Sequence, residues 1–218
     1  MTIPVSGSPV YELRAKDIGH SFGTASGLFS DITISIKSGE TCVITGSNGS
    51  GKSTLLKILA GQRNPQKGSV ELIRDNVSLS HEIWYKYFAW SGPWNELYSE
   101  YSPLEFIKLW FSFKSSLHKH PEELLEILNL TDAANQPAKQ LSSGMMQRLK
   151  TGLVLTSDVP LLFLDEPGIM LDNQNKQLFK SLLSTYLNNR MLVLASNDES
   201  DWSGLTIHHR IDLKHVTV

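Results

Sequence analysis

Gly46-Ser47-Asn48-Gly49-Ser50-Gly51-Lys52-Ser53-Thr54 fits the phosphate-binding pattern G-x-x-x-x-G-K-[ST]. Upstream, Thr41-Cys42-Val43-Ile44-Thr45 is a short apolar, β-branched run that predicts a buried strand, and downstream Leu55-Leu56-Lys57-Ile58-Leu59 predicts the first turns of a helix. Strand, loop and helix together are the setting the motif requires. Three glycines let successive backbone N–H groups converge on an anion, and the helix N-terminus adds its dipole. Lys52 is then expected to reach the β- and γ-phosphates of a nucleoside triphosphate, and Ser53 to offer its hydroxyl to Mg²⁺. A glycine-rich turn before an ordinary helix would share the spacing but not the flanking strand.

The 218 residues suit one large domain, or one domain with a small inserted lobe, and can bury a sizeable core without disulfides. With 19% charged residues and a net charge of −2, no bulk electrostatic signal favours nucleic acid or an anionic membrane surface. Cys42 sits inside an apolar run and reads as a small core residue of a reducing compartment. No apolar stretch approaches the ~20 residues that span a bilayer. Met1 to Pro9 lacks the basic and apolar regions of a secretory signal. The expectation is a soluble, cytoplasmic protein that reaches a membrane through a partner.

Along the chain, Tyr11-Glu12-Leu13-Arg14-Ala15 alternates as an edge strand would, and Ile32 to Ile36 alternates with its isoleucines on one face. Gly61 is placed as a helix C-cap and Pro65-Gln66-Lys67-Gly68 as a turn before a strand at Ser69 to Ile73. More than half of the chain's aromatic residues fall between Trp84 and Phe113. Within that segment Ser102-Pro103 with Glu105 marks a helix start, and Leu104 to Phe113 is apolar on nearly every side except at Lys108. Pro121 opens a second helix that buries Leu124, Leu125 and Leu128. Leu161 to Leu164 and Met191 to Ala195 are wholly apolar and predict central parallel strands, with a helix from about Gln174 to Leu187 between them. The stretch Ile207 to Val218 reads as a final edge strand; its histidines lack the carboxylate or cysteine company of a metal site.

Asp165-Glu166 closes an apolar strand, where one carboxylate can hold Mg²⁺ and the next can polarise an attacking water. Between the glycine loop and this pair lies Leu141-Ser142-Ser143-Gly144-Met145-Met146-Gln147-Arg148, a serine-capped helix start and so a second anion-binding N-terminus. In this order and spacing the three stretches resemble the nucleotide-binding domain of an ABC transporter, of the short bacterial exporter type. The resemblance covers nearly the whole chain.

That resemblance implies an α/β fold: a P-loop NTPase core with a mainly parallel central sheet, an antiparallel β lobe and an inserted helical subdomain. Residues 1–92 and 156–218 would form the core and β lobe, and about 93–155 the helical subdomain carrying the signature. Phe22 matches the aromatic that stacks on adenine, and Gly46 to Thr54 matches Walker A. Leu161 to Glu166 matches Walker B with its catalytic glutamate, Leu141 to Gln147 the signature, and Leu171-Asp172 the end of the D-loop. In that family two domains dimerise head to tail, each ATP lying between one Walker A and the partner's signature. A second ABC ATPase domain and an integral-membrane transporter subunit are the partners implied, and ATP with Mg²⁺ the cofactors. Ser142, Ser143 and Gly144 of one protomer would then face Lys52 of the other, with Met145 and Asp172 also among the nucleotide-binding residues the resemblance implies.

The departures are specific. No glutamine occurs between Gln66 and Gln136, so the family's Q-loop ligand, expected near Pro93, is absent. Asn197 stands at the switch-histidine position; it can donate a hydrogen bond to a γ-phosphate but carries no charge. Gly168-Ile169-Met170 replaces the small and hydroxyl residues usual in the D-loop. Slow hydrolysis with intact ATP binding is the expectation, because phosphoryl transfer depends on positioned charge. The alternative from the same residues is a hydrolysis-deficient, ATP-gated dimerisation or regulatory module, or the degenerate half of a heterodimer. The aromatic segment also has two readings: a packed junction, or a docking face in which Trp94, Tyr98 and Tyr101 receive a membrane partner. A small GTPase fits poorly: Asp201-Trp202-Ser203-Gly204 matches D-x-x-G only after the second carboxylate strand, and no N-K-x-D element exists.

Overall fold

A computed structural model describes residues 9–21, 28–93 and 97–213. Phe22, Trp94, Lys214, His215 and the residues before Pro9 lie outside the described residues.

The first of two sheets is antiparallel, formed by β1 (Tyr11–His20), β2 (Phe29–Lys37), β4 (Lys67–Arg74) and the short β5 (Val77–Ser78) in the order β2-β1-β4-β5. The expectation of an edge strand at Tyr11 is corrected here: β1 is an inner strand, paired with β2 on one side and β4 on the other. Alternation cannot distinguish the two cases, because an inner antiparallel strand with one wetted face carries the same pattern. The expected turn at Pro65 to Gly68 is shorter than predicted, since Lys67 and Gly68 already belong to β4.

The second sheet is parallel throughout and carries the strands that lead to the site. Its order is β6-β7-β8-β3-β9, with β3 at Thr41–Thr45, β6 at Phe88–Ser91, β7 at Leu161–Asp165, β8 at Met191–Ala195 and β9 at His209–Asp212. Every residue of β3, β7 and β8 is buried. Alternate residues serve opposite faces. Cys42, Ile44, Phe163 and Val193 pack with α1 (Lys52–Leu59) and the antiparallel sheet. Val43, Leu162, Leu164, Leu192 and Leu194 join the helices of the other face. Those helices are α2 (Pro103–Phe113), α3 (Pro121–Ile127), α4 (Ser143–Leu155) and α5 (Asn173–Tyr186). Burying side chains of this size contributes about 1.5–3 kcal/mol each, so the apolar runs dictate a covered sheet.

α2 begins as the sequence predicts. Ser102 Oγ accepts from the Glu105 amide, the Ser102 amide donates to Glu105 Oε2 at 2.8 Å, and Pro103 occupies the first turn. Ser102→Ala is expected to cost about 1 kcal/mol of folding free energy, read as a lower denaturation midpoint; an unchanged midpoint would assign the helix start to packing alone. Phe106 and Ile107 are buried, and Trp110 Nε1 donates to Ser157 Oγ at 2.9 Å. The aromatic segment divides: Trp84 and Trp90 are buried in the core, while Tyr98 is 71% and Phe113 76% exposed.

Candidate nucleotide-binding site

β3 runs buried to Thr45 and delivers the chain into the glycine loop at the C-terminal end of the parallel sheet. Gly51 caps α1 with φ 98°, and a Cβ there would approach Leu28 Cδ2 to 2.5 Å, so only glycine fits both the turn and its neighbour. Ser50 N donates to Ser47 O at 3.1 Å, which folds the loop on itself. Lys52 is the first residue of α1 and is almost wholly buried. Its Nζ donates to Gly46 O at 2.9 Å and lies 3.3 Å from Glu166 Oε1.

Asp165 and Glu166 arrive from β7, two strands away from β3 across β8. Asp165 is fully buried, and neither carboxylate oxygen has a hydrogen-bond partner. Burial pushes its carboxyl above the usual range and the Glu166 charge adds to that shift, while the Ser53 hydroxyl and Lys52 oppose it. A buried carboxylate with both oxygens orphaned, beside a serine hydroxyl, is a donor set that fits a hard divalent cation. The expected Mg²⁺ residues, Ser53 and Asp165, therefore fit the group.

A cavity of about 350 Å³ opens over the loop, lined by Leu28, Asn48, Gly49, Gly51, Lys52, Ser53, Thr54, Pro93 and Glu166. Pro93, where the Q-loop glutamine was expected, is thus at the site without an amide to offer. Asn197 is brought to the loop: its Nδ2 donates to Asn48 Oδ1 at 3.0 Å. None of Ser142, Ser143, Gly144, Met145 or Asp172 lines this cavity. Ser142 caps α4, accepting from the Met145 amide at 3.2 Å, and Asp172 caps α5, accepting from the Asn175 amide at 2.8 Å. Gly144 lies against the D-loop end of the fold, its Cβ position 3.6 Å from Met170 O. The described residues thus gather Lys52, Ser53 and Glu166 at one cavity, with the α4 N-terminus presented elsewhere on the surface.

Two buried polar residues beside Glu166 were not anticipated. Ser196 Oγ lies 3.1 Å from Glu166 Oε2 and 2.6 Å from Asp201 Oδ2. Gln147, anticipated only as part of the signature run, donates from Nε2 to Pro167 O at 3.0 Å. The sequence signal for Asp201 was its D-x-x-G match, which pointed elsewhere.

The family model described as ABC transporter matches residues 29–168. The cytochrome c biogenesis ATP-binding export protein CcmA of Rhizobium etli is 31% identical over 176 residues, covering 79% of this chain and 81% of that protein. CcmA of Methylococcus capsulatus is 28% identical over 189 residues, with 86% of each chain covered. Among solved structures, an ABC transporter ATP-binding protein from Pyrococcus furiosus superposes with a TM-score of 0.76 at 20% identity, covering 93% of this chain and 97% of that one. The dimeric bacterial ABC transporter cassette MJ0796 gives 0.75 at 23% identity over 93% and 94%.

Proposed function

The chain belongs to the ABC transporter family, and from that premise we propose that it is an ATP-binding subunit that binds ATP with Mg²⁺ between two head-to-tail domains and serves a separate integral-membrane subunit. Family membership carries ATP hydrolysis in general. The single observation that carries the specific reading is the convergence of Lys52, Ser53, the orphaned Asp165 carboxylate and Glu166 at one end of the parallel sheet.

In this reading the loop amides and Lys52 hold the β- and γ-phosphates, and Phe22, outside the described residues, stacks on adenine. Ser53 and Asp165 hold Mg²⁺, which would supply charge neutralisation at the phosphates. Glu166 accepts a proton from the attacking water, and Asn197 orients the γ-phosphate from the switch position. Ser142, Ser143, Gly144 and Met145 of a second domain close the site, with Asp172 at the D-loop end of the contact. The cap geometry of α4 supports this, because a serine-capped helix start is an anion site that the chain's own phosphate loop leaves unused. The residue division 1–92 and 156–218 for the core, with about 93–155 as the helical subdomain, belongs to the same proposal.

No helix among the described residues is long and apolar enough to cross a membrane. A location at the inner face of the cell membrane therefore depends on the partner. Exposed Tyr98 stacks over buried Phe106 with ring centroids 6.5 Å apart, and Tyr101 is 41% exposed beside it. That platform supports docking of the membrane subunit. The naming of the relatives as export proteins supports an exporter, with no cargo specified.

Slow turnover follows from the missing glutamine and the uncharged Asn197. Asn197→His is expected to raise Mg²⁺-dependent ATP turnover about tenfold by adding a cationic donor at the γ-phosphate. No change with ATP still bound would remove Asn197 from the site. The same two departures favour a second reading, a hydrolysis-deficient module or the degenerate half of a heterodimer. Wild-type turnover no faster than that of Glu166→Gln would select it.

A further inference from the structure

Glu166 sits in a conformation that its own residue type resists. Its φ is 48°, in the left-handed region, and such backbone persists only where the surroundings hold it. Several contacts do so. The Glu166 amide donates to Ala195 O at 2.8 Å, and Gln147 fixes Pro167 O from α4. Ser196, wholly buried at the end of β8, stands between the Glu166 carboxylate and Asp201, which is 2% exposed.

We propose that Asp201 is a positioning residue for Glu166, acting through the Ser196 hydroxyl, and that its carboxyl group also seats the Gly168 turn that follows the base. The proposal rests on Glu166 acting as the general base. Ser196 has one proton, and its oxygen also accepts from the Asp198 amide at 3.1 Å. Donated to Glu166, that proton leaves the Ser196 oxygen to accept from the Asp201 carboxyl across the 2.6 Å contact, so that a proton held on Asp201 fixes the hydroxyl rotor toward the base. Lys52 and Ser196 are the side-chain partners of the Glu166 carboxylate among the described residues. Once phosphate draws Lys52 away, Ser196 is the contact that still orients the base.

Gly168 supplies an independent observation. A Cβ at that position would fall 1.8 Å from Asp201 Oδ1 and 2.8 Å from its Cγ. Asp201 therefore occupies the space that any side chain at position 168 would take. Burial, the largest effect, raises the Asp201 carboxyl above its usual range and the Asp198 charge adds to that shift, while the Ser196 hydroxyl, the Gly168 amide and Lys176 oppose it. Glycine in this D-loop and aspartate at 201 are a matched pair. One carboxyl group thereby links the residue after Pro167 to the end of β8.

The test uses the full chain with Asp201→Ala, Asp201→Asn, Ser196→Ala and the double alanine variant, reading kcat, KM and ATP affinity. Asp201→Ala is expected to lower kcat about tenfold with KM and Kd within about twofold, the pattern of a group that acts on the base alone. Asp201→Asn, whose amide N–H can still donate to Ser196 Oγ, should recover most of that loss. Adding Asp201→Ala to Ser196→Ala should cost less than the loss in Asp201→Ala alone, the remainder being the Gly168 contact, because residues acting in one chain are not additive. Losses that multiply, or a rise in KM with kcat unchanged, would overturn the proposal. If Asp201→Ala fails to fold, Ser196→Ala, which removes only a hydroxyl, carries the same expectation. If Glu166→Gln turns over as fast as wild type, the general-base reading fails, and amide hydrogen exchange decides the positioning alone. Faster exchange confined to Gly168 through Leu171 in Asp201→Asn or Ser196→Ala supports it, and exchange equal to wild type there refutes it.

Discussion

Glu166→Gln is expected to lower ATP turnover by about a hundredfold or more, while ATP binding stays intact or tightens. The change keeps the shape of the side chain and its ability to accept from Ser196, whose hydroxyl is 3.1 Å away. What it removes is the charge and the proton acceptor. In the structure that charge sits 3.3 Å from Lys52 Nζ, with both groups substantially buried. A triphosphate must compete with Glu166 for Lys52, so neutralising residue 166 leaves the lysine free for phosphate. Loss of turnover should therefore come with equal or stronger affinity, an opposition of signs that general unfolding would not produce. Steady-state hydrolysis and calorimetric titration with ATP, on the same samples, measure both. Equal turnover in wild type and variant would remove Glu166 from the chemistry and leave a binding module.

Lys52→Ala is expected to weaken ATP binding by about a hundredfold, corresponding to the ~1.5–3 kcal/mol of a charge-assisted hydrogen bond lost at a buried site. Two effects add. The phosphates lose their cation, and Glu166 is left without its ion-pair partner beside an incoming anion. Helix α1 itself should survive, since alanine is the strongest helix former and the buried apolar residues of the helix are Leu55, Leu56, Ile58 and Leu59. A denaturation midpoint near that of wild type, together with lost titration heat, is the expected pair of readings. A Kd within about threefold of wild type would mean that the loop amides alone carry affinity.

The nucleotide end of the fold was legible because its determinants are local. Residues 41–59 encode strand, loop and helix contiguously, and the apolar runs ending at Asp165 and Ala195 could be nothing but covered strands. The capping box at Ser102 and Glu105 was legible for the same reason. Tyr11 to His20 was misplaced at an edge because alternation reports one wetted face and says nothing of how many neighbours a strand has. Asp201 was missed for a deeper reason. Its significance depends on Glu166, Gly168 and Ser196 being folded against it, and no spacing rule joins a D-loop to a turn more than thirty residues later. Gly168 looked like a departure from its family's pattern until Asp201 was seen filling the space beside it. The aromatic segment was too coarse a unit: burial sorts Trp84 and Trp90 from Tyr98 and Phe113, which composition alone could not do.

The central claim is that a triphosphate held by Lys52 is completed by the α4 N-terminus of a second domain. Sedimentation velocity of the Glu166→Gln chain, with and without ATP and Mg²⁺, tests it most directly. A nucleotide-dependent dimer that dissociates when Ser143→Arg blocks the α4 start is the predicted result. A chain that saturates with ATP through Lys52 yet sediments as a monomer would contradict it.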